Sequence, residues 1–278
     1  MRNNDNSQKM EREQLTAEEP QINIYGEVEP DALETNIWDK SIKVEENGYY
    51  WKKEPIFSKG GEIPSDVPIV VELFCGCGGT SMGFEMAGYE VVLGCDIHAP
   101  SIETFKANHP QSATILGDVK KVNPYIIKDF LNGRALDVII AGVPCQGFSL
   151  NNRKRHEEDD RNQMYKEFVK FIEILQPKVV VLENVSGMKS TGNYVEEIEK
   201  DLSRAGGMKV RSKLLYAPDY GVPQKRSRLV FVGVRDEEFD FSLIEKTHGV
   251  GTPNNYVTIK EAIGDLPSLK PKETKTKY

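Results

Sequence analysis

Long apolar runs are missing from this 278-residue chain, and with them the stretch of ~18–20 residues that a membrane helix needs. The polar start MRNNDNSQKMEREQ also lacks the apolar centre of a signal peptide, so a soluble, cytoplasmic protein is expected. Cysteine is scarce. The four present, Cys75, Cys77, Cys95 and Cys145, are too few for a disulfide scaffold and show no CxxC spacing. The four histidines, His98, His109, His156 and His248, form no ligand-spaced cluster, so no metal is expected. An excess of positive charge is absent too: 36 Lys and Arg stand against 43 Asp and Glu, a net of −7. No global field draws such a chain onto nucleic acid, and any such contact must come from local basic patches. There is no internal repeat.

What is present divides the chain in three. Residues 1–65 carry fourteen acidic and eight basic side chains, a net of −6, which leaves −1 for everything after them. The first twenty or so are polar and nearly free of large apolar side chains, the composition of a disordered segment. Aromatic residues from Tyr25 to Trp51 predict that the rest packs, with a short hairpin as one form. Residues 66–240 alternate apolar runs with segments of helical period, the signature of βαβ units and a mostly parallel sheet. One main domain is expected there. Strands are predicted over 67–74, 90–96, 135–142, 177–184, 209–217 and 228–235, with helices near 80–88, 99–108, 122–132, 163–175 and 194–205. The all-apolar runs DVIIAG and KVVVLEN imply burial on both faces. Residues 241–278 form a third segment.

The first strand runs into Glu72-Leu-Phe74-Cys75-Gly76-Cys77-Gly78-Gly79 and then a helix, so a glycine-rich turn sits at the carboxyl edge of a parallel strand, where open α/β sheets bind ligands. GxGG in place of GxGxxG suits a cofactor lacking a pyrophosphate, and a tight strand-to-helix turn is the plain alternative. The second strand ends at Asp96, whose carboxylate can take both ribose hydroxyls of an adenosine-bearing cofactor. Asp118 falls where a third strand should end, as an acceptor for an adenine amine or as an ordinary Gly-Asp turn. The strand over 135–142 leads into Val143-Pro144-Cys145-Gln146-Gly147-Phe148-Ser149, a thiol at the same edge, where inert packing is the alternative to a nucleophile. The next strand ends in Glu183-Asn184-Val185.

The segments ELFCGCGGTSMGFEMAG, GCDIHAPSIETFKANHP, GDV, PCQGFS, ENV and YGVPQKRSRLVFVGVR occur in that order over residues 69–235. In kind and order they resemble the motifs of DNA (cytosine-5)-methyltransferases, and the loop and spacing are similar to the bacterial restriction-modification type. The resemblance implies a doubly wound, mostly parallel α/β sheet of the S-adenosylmethionine-dependent, Rossmann-like type, in a bacterial or phage-host cytosol. It implies S-adenosyl-L-methionine as cofactor and S-adenosyl-L-homocysteine as product, held by Phe74, Gly76, Gly78, Gly79, Asp96, Ile97, Asp118 and Pro144. It assigns Cys145 as the nucleophile that adds to cytosine C6, Glu183 as the proton partner of N3, and Arg226 and Arg228 as cationic donors near O2. A thiol at a sheet edge cannot reach a stacked base, so duplex DNA must yield a flipped cytosine. Gln146, Ser149, Arg153, Lys154, Arg155 and Arg161 would contact the DNA, in a loop whose charges could equally be solvated. After Tyr256-Val-Thr-Ile-Lys-Glu-Ala-Ile-Gly-Asp-Leu-Pro267, the lead-in to the family's target-recognition region, neither that region nor the two last motifs follow. A second polypeptide carrying them is therefore expected, with a truncated chain as the alternative. An RNA (tRNA) cytosine-5 methyltransferase and a catalytically silent S-adenosylmethionine-binding scaffold are the competing functions.

Overall fold

The computed structural model describes residues 54–144, 164–187 and 193–267, together with the backbone of three short strands before them. Those three are β1 (Ile22–Asn23), β2 (Lys43–Val44) and β3 (Tyr50–Trp51), and the last two pair antiparallel as a small ribbon. The chain divides into two compact units, Met1–Ile139 and Ile140–Tyr278. The division falls inside a strand of five residues.

In the first unit β4 (Ile56–Ser58), β5 (Ile69–Leu73), β6 (Glu90–Asp96) and β7 (Ala113–Leu116) take the order β1-β4-β7-β6-β5. The pairs β5–β6 and β6–β7 are parallel, β4 lies antiparallel to β7, and β1 pairs antiparallel with β4 at the edge. The acidic segment before residue 65 thus contributes two short strands, β1 and β4, to the sheet. Helices α1 (Gly79–Met86) and α2 (Ala99–Asn108) make the crossovers and pack on these strands. Every residue of β5 is buried, because helices rather than solvent cover a parallel sheet. The helix α3 (Pro124–Phe130) begins where Asn123 accepts a hydrogen bond from the Tyr125 N–H and Pro124 takes the first turn, a start the sequence spells out.

The strand expected over 135–142 is shorter, β8 (Val138–Gly142). Its first residues are used otherwise: Arg134 pairs with Asp137, and the Asp137 carboxylate accepts the Ile69 N–H at 2.9 Å, which fixes the start of β5.

The second unit carries α4 (Met164–Leu175), β9 (Val179–Val185), α5 (Tyr194–Gly206), β10 (Met208–Tyr216), β11 (Ser227–Arg235) and α6 (Ile259–Ile263). Its strands run β9-β11-β10, with β11 antiparallel to both neighbours. The ten residues between β10 and β11 are too few for a crossover helix, so the chain must turn back. Helix α5 carries the connection from β9 to β10, which run the same way on either side of β11. Burial along β9 alternates instead of being continuous, so KVVVLEN is covered on one face and half-open on the other, contrary to expectation. Among the described residues no helix is long and apolar enough to cross a membrane.

Gly94 in β6 is a tight point of the first unit's core. A Cβ there would stand 2.4 Å from the ring of Phe105, which is itself fully buried on α2. Gly94→Ala is therefore expected to destabilise the chain by about 1–3 kcal/mol, read as a lowered denaturation midpoint.

Candidate active site

The glycine turn is fastened from several sides. After β5 the backbone enters left-handed conformations at Phe74 (φ 56), Gly76 (φ 54) and Gly78 (φ 85). A bulky residue held there is strained, which marks ligand sites more often than plain turns. Both carboxylate oxygens of Asp96 are engaged by backbone: Gly76 N–H donates at 2.8 Å and His98 N–H at 2.8 Å. Asp96 is thus first a tie between β6 and the turn, with lone pairs left over for further donors. Over Gly76 and Gly79 the space is open, since a Cβ at either would meet nothing within 4 Å. Gly76 needs glycine for its φ, but packing does not demand one at Gly79. A cradle that a side chain would fill is what the backbone of a bound cofactor needs, so these residues fit the adenosyl-methionine group that the sequence implies.

Beneath the turn lies Glu72, 2% exposed. Its carboxylate accepts the Ser81 N–H at 3.1 Å and, on the same oxygen, the Ser81 hydroxyl. Gly78, the residue before α1, has no side chain to cap the helix, and Glu72 supplies the acceptor instead. Burial pushes its pKa up to about 7, against the opposing hydrogen bonds from Ser81 and Thr80 and the charge of His109.

Asp118 lies two residues past the end of β7, and Gly117 N–H donates to the Asp96 carbonyl at 2.9 Å, so the two acids share one edge. Asp118 also accepts from Lys120 N–H at 3.0 Å, capping a 3-10 turn (Val119–Lys121), which is the plain role the sequence left open. Ile97 and Phe74 are half-buried at the same edge. Cys75 and Cys95 are buried, with thiol pKa values raised well above the ordinary range by desolvation.

In the second unit Glu183 sits near the end of β9, opposite Val230 on β11, so Arg228 is its diagonal neighbour on the same face. The Arg228 Nε ion-pairs with the Glu183 carboxylate. Burial raises the Glu183 pKa, and the nearby charge of Arg226 opposes that rise. The contact with Arg228 acts in the same sense as Arg226. Arg226 itself is exposed. The amide nitrogen of Asn184, the next residue along β9 and 1% exposed, has no hydrogen-bond partner among the described residues. Pro144 is exposed at the end of the described strand segment, whereas Cys145, Gln146, Ser149, Arg153, Lys154, Arg155 and Arg161 lie outside the described residues. Among those described, no three His, Cys, Asp or Glu side chains are grouped to hold a metal ion.

The chain matches the family model of C-5 cytosine-specific DNA methylases over residues 69–278. It belongs to that family. It is similar to type II methyltransferase M1.HphI of Haemophilus parahaemolyticus, 36% identical over 72% of this chain and 53% of that protein. Type II methyltransferase M.DdeI of Desulfomicrobium norvegicum is likewise 36% identical, over 72% of this chain and 49% of its own. Among solved structures, a prophage-encoded protein of E. coli described as a DNA modification methyltransferase is 31% identical, with a TM-score of 0.61 over 73% of this chain and 56% of that one. The doubly wound, mostly parallel methyltransferase fold is thereby assigned. The chain spans about half the length of the curated relatives it matches.

Sequence reading passed over Glu72, Asn108, His109 and Asp219. A carboxylate inside the apolar run VPIVVELF was a visible signal for the first. Asp219, 6% exposed, takes the Tyr256 hydroxyl at 3.1 Å and pairs with Lys246 at 2.8 Å, so it fastens residues 246–256 to the turn after β10. Only tertiary structure joins those positions.

The raised pKa of Glu72 has a signed consequence. Between pH 4.5 and about 7 the folded chain holds a proton that the unfolded chain has lost, so this group's contribution to stability falls as pH rises through that window. Glu72→Gln cannot titrate, and its stability relative to the parent is expected to improve by about 1 kcal/mol or more between those limits. Urea unfolding at pH 5 and at pH 7.5 measures this, and a parallel pH dependence for the two proteins would contradict it.

Proposed function

We propose that this chain is the catalytic part of a DNA (cytosine-5)-methyltransferase of the restriction-modification type, acting on a cytosine flipped out of duplex DNA. The observation that carries the reading is the Glu183–Arg228 pair at the end of β9, in a chain whose family match runs from the glycine turn onward. The open cradle over Gly76 and Gly79 supports a cofactor there, with Phe74, Gly78, Asp96, Ile97, Asp118 and Pro144 as the surrounding contacts. When bound, S-adenosyl-L-methionine supplies the methyl group, and S-adenosyl-L-homocysteine is the product.

Cytosine C5 is too weak a nucleophile unaided. In this reading the Cys145 thiolate adds to C6, and electron density moves to C5 as N3 gains a proton or a strong hydrogen bond from Glu183. Burial raises the Glu183 carboxyl above its ordinary range, which favours the protonated form that such a donor needs. Arg228, with Arg226, offers cationic donors to O2 as negative charge develops on the ring. After C5 is methylated, its proton leaves to a base and the thiolate is eliminated, restoring the aromatic ring. Gln146, Ser149, Arg153, Lys154, Arg155 and Arg161 hold the DNA around the open stack.

A second polypeptide carrying the target-recognition region belongs to this reading, and α6 supports it: none of its residues is buried, and Ile259, Ile263 and Leu266 are exposed. The competing reading is an RNA (tRNA) cytosine-5 methyltransferase.

With a complementing polypeptide present, labelled methyl groups are expected to enter duplex DNA and not tRNA. Cys145→Ala should abolish transfer, and Glu183→Gln should lower kcat by about 100-fold. Methylation by Cys145→Ala at the parental rate would remove the nucleophile assignment. Sequence-specific methylation by the purified chain alone would remove the second polypeptide.

A further inference from the structure

Two residues that the proposed chemistry does not use grip the glycine turn from behind. Helix α2 ends at Asn108, and His109 follows it. Asn108 Nδ2 donates to the carbonyl of Cys77 at 3.0 Å, and His109 Nε2 lies 3.0 Å from the carbonyl of Gly78. Consecutive residues thus hold consecutive peptide oxygens. A carbonyl only accepts, so His109 Nε2 carries its hydrogen in this arrangement. The other ring nitrogen, Nδ1, is 2.8 Å from the Glu85 carboxylate on α1, and the side chain is 0% exposed. The ring also packs on Phe105, with centroids 4.6 Å apart.

The turn and the ring require each other. A Cβ on Gly78 would stand 2.2 Å from His109 Nε2, whereas Gly76 and Gly79 face open space. Asp96 holds the Gly76 N–H in addition. The segment from Gly76 to Gly78 is therefore tied at three successive residues, and two of the three ties come from the end of α2.

We propose that Asn108 and His109 are positioning residues of the cofactor turn, holding the Cys77 and Gly78 peptides in the bound-state geometry before any cofactor arrives. The inference rests on the cofactor reading above. Freed peptides would rotate among several orientations, and a ligand would have to select the competent one, which lowers affinity by the fraction populated. The chemical step, carried by the second unit's residues, is unaffected once the cofactor is saturating.

Calorimetric binding of S-adenosyl-L-homocysteine to the full chain tests this, alongside hydrogen exchange at the amides of residues 76–79. Asn108 is exposed, so Asn108→Ala is expected to fold normally and to weaken binding by about 3–10-fold, the worth of one hydrogen bond. His109→Gln, which removes the buried ring, is expected to weaken it further. In the methyl-transfer assay KM for S-adenosyl-L-methionine should rise in both variants while kcat holds. Exchange at residues 76–79 should quicken in both. Unchanged affinity and unchanged exchange in Asn108→Ala would overturn the proposal. Quickened exchange in both variants, together with a parent chain that binds no S-adenosyl-L-homocysteine, would support the clamp and count against the cofactor reading instead.

Discussion

A carboxylate buried where a strand gives way to a helix sets the geometry of the first unit. The first N–H groups of any helix lack partners within it, and the glycine that α1 needs at its start cannot provide one. Glu72 meets that need from the strand below, through Ser81. The helix N-terminus favours the negative charge while desolvation opposes it, and the outcome is a group poised near pH 7. Because Glu72 fixes where α1 begins, it also fixes the turn, and because the turn is fixed, Asp96 and the end of α2 can reach its peptides.

The second unit uses a carboxylate differently. Glu183 has a cation against it, and that cation is available only because β11 is reversed. A parallel strand returning through a helix would place its carboxyl end, not its start, at the end of β9. The short connection after β10 forces the reversal, so Ser227 and Arg228 enter β11 beside Glu183 and Val185. Asp219 holds that connection by binding residues 246–256 to it. On the other face of β9 the Asn184 side-chain nitrogen is a buried donor without a partner among the described residues, and leaving such a donor unmet is costly.

Periodicity made most of the frame legible. The sequence predicts 90–96 and 99–108, and those are the bounds of β6 and α2, because apolar alternation and a Pro near the helix start are local signals. The bounds of β8 were less so, since Arg134 and Asp137 act through contacts with Val67 and Ile69 that no local pattern announces. The antiparallel setting of β11 was implicit in the short spacing after β10. Site residues divide in the same way. Asp96 was singled out by its distance from the glycine turn, but its grip on Gly76 was not legible, and His109 entered only as one of four histidines without ligand spacing because Gly78 and Glu85 approach it only after folding.

The described part ends in a helix that cannot stand on its own contacts. Helix α6 has five residues, and helices so short are marginal in water. Its capping box, with Thr258 and Glu261 bonded reciprocally, satisfies the first donors but buries no apolar surface. Ile259 and Ile263, four apart and so on one face, are more than half exposed, as is Leu266. Covering each such side chain is worth about 1.5–3 kcal/mol, several times what the caps provide. No described residue buries that face, so the capping box is left to hold the start of this helix alone.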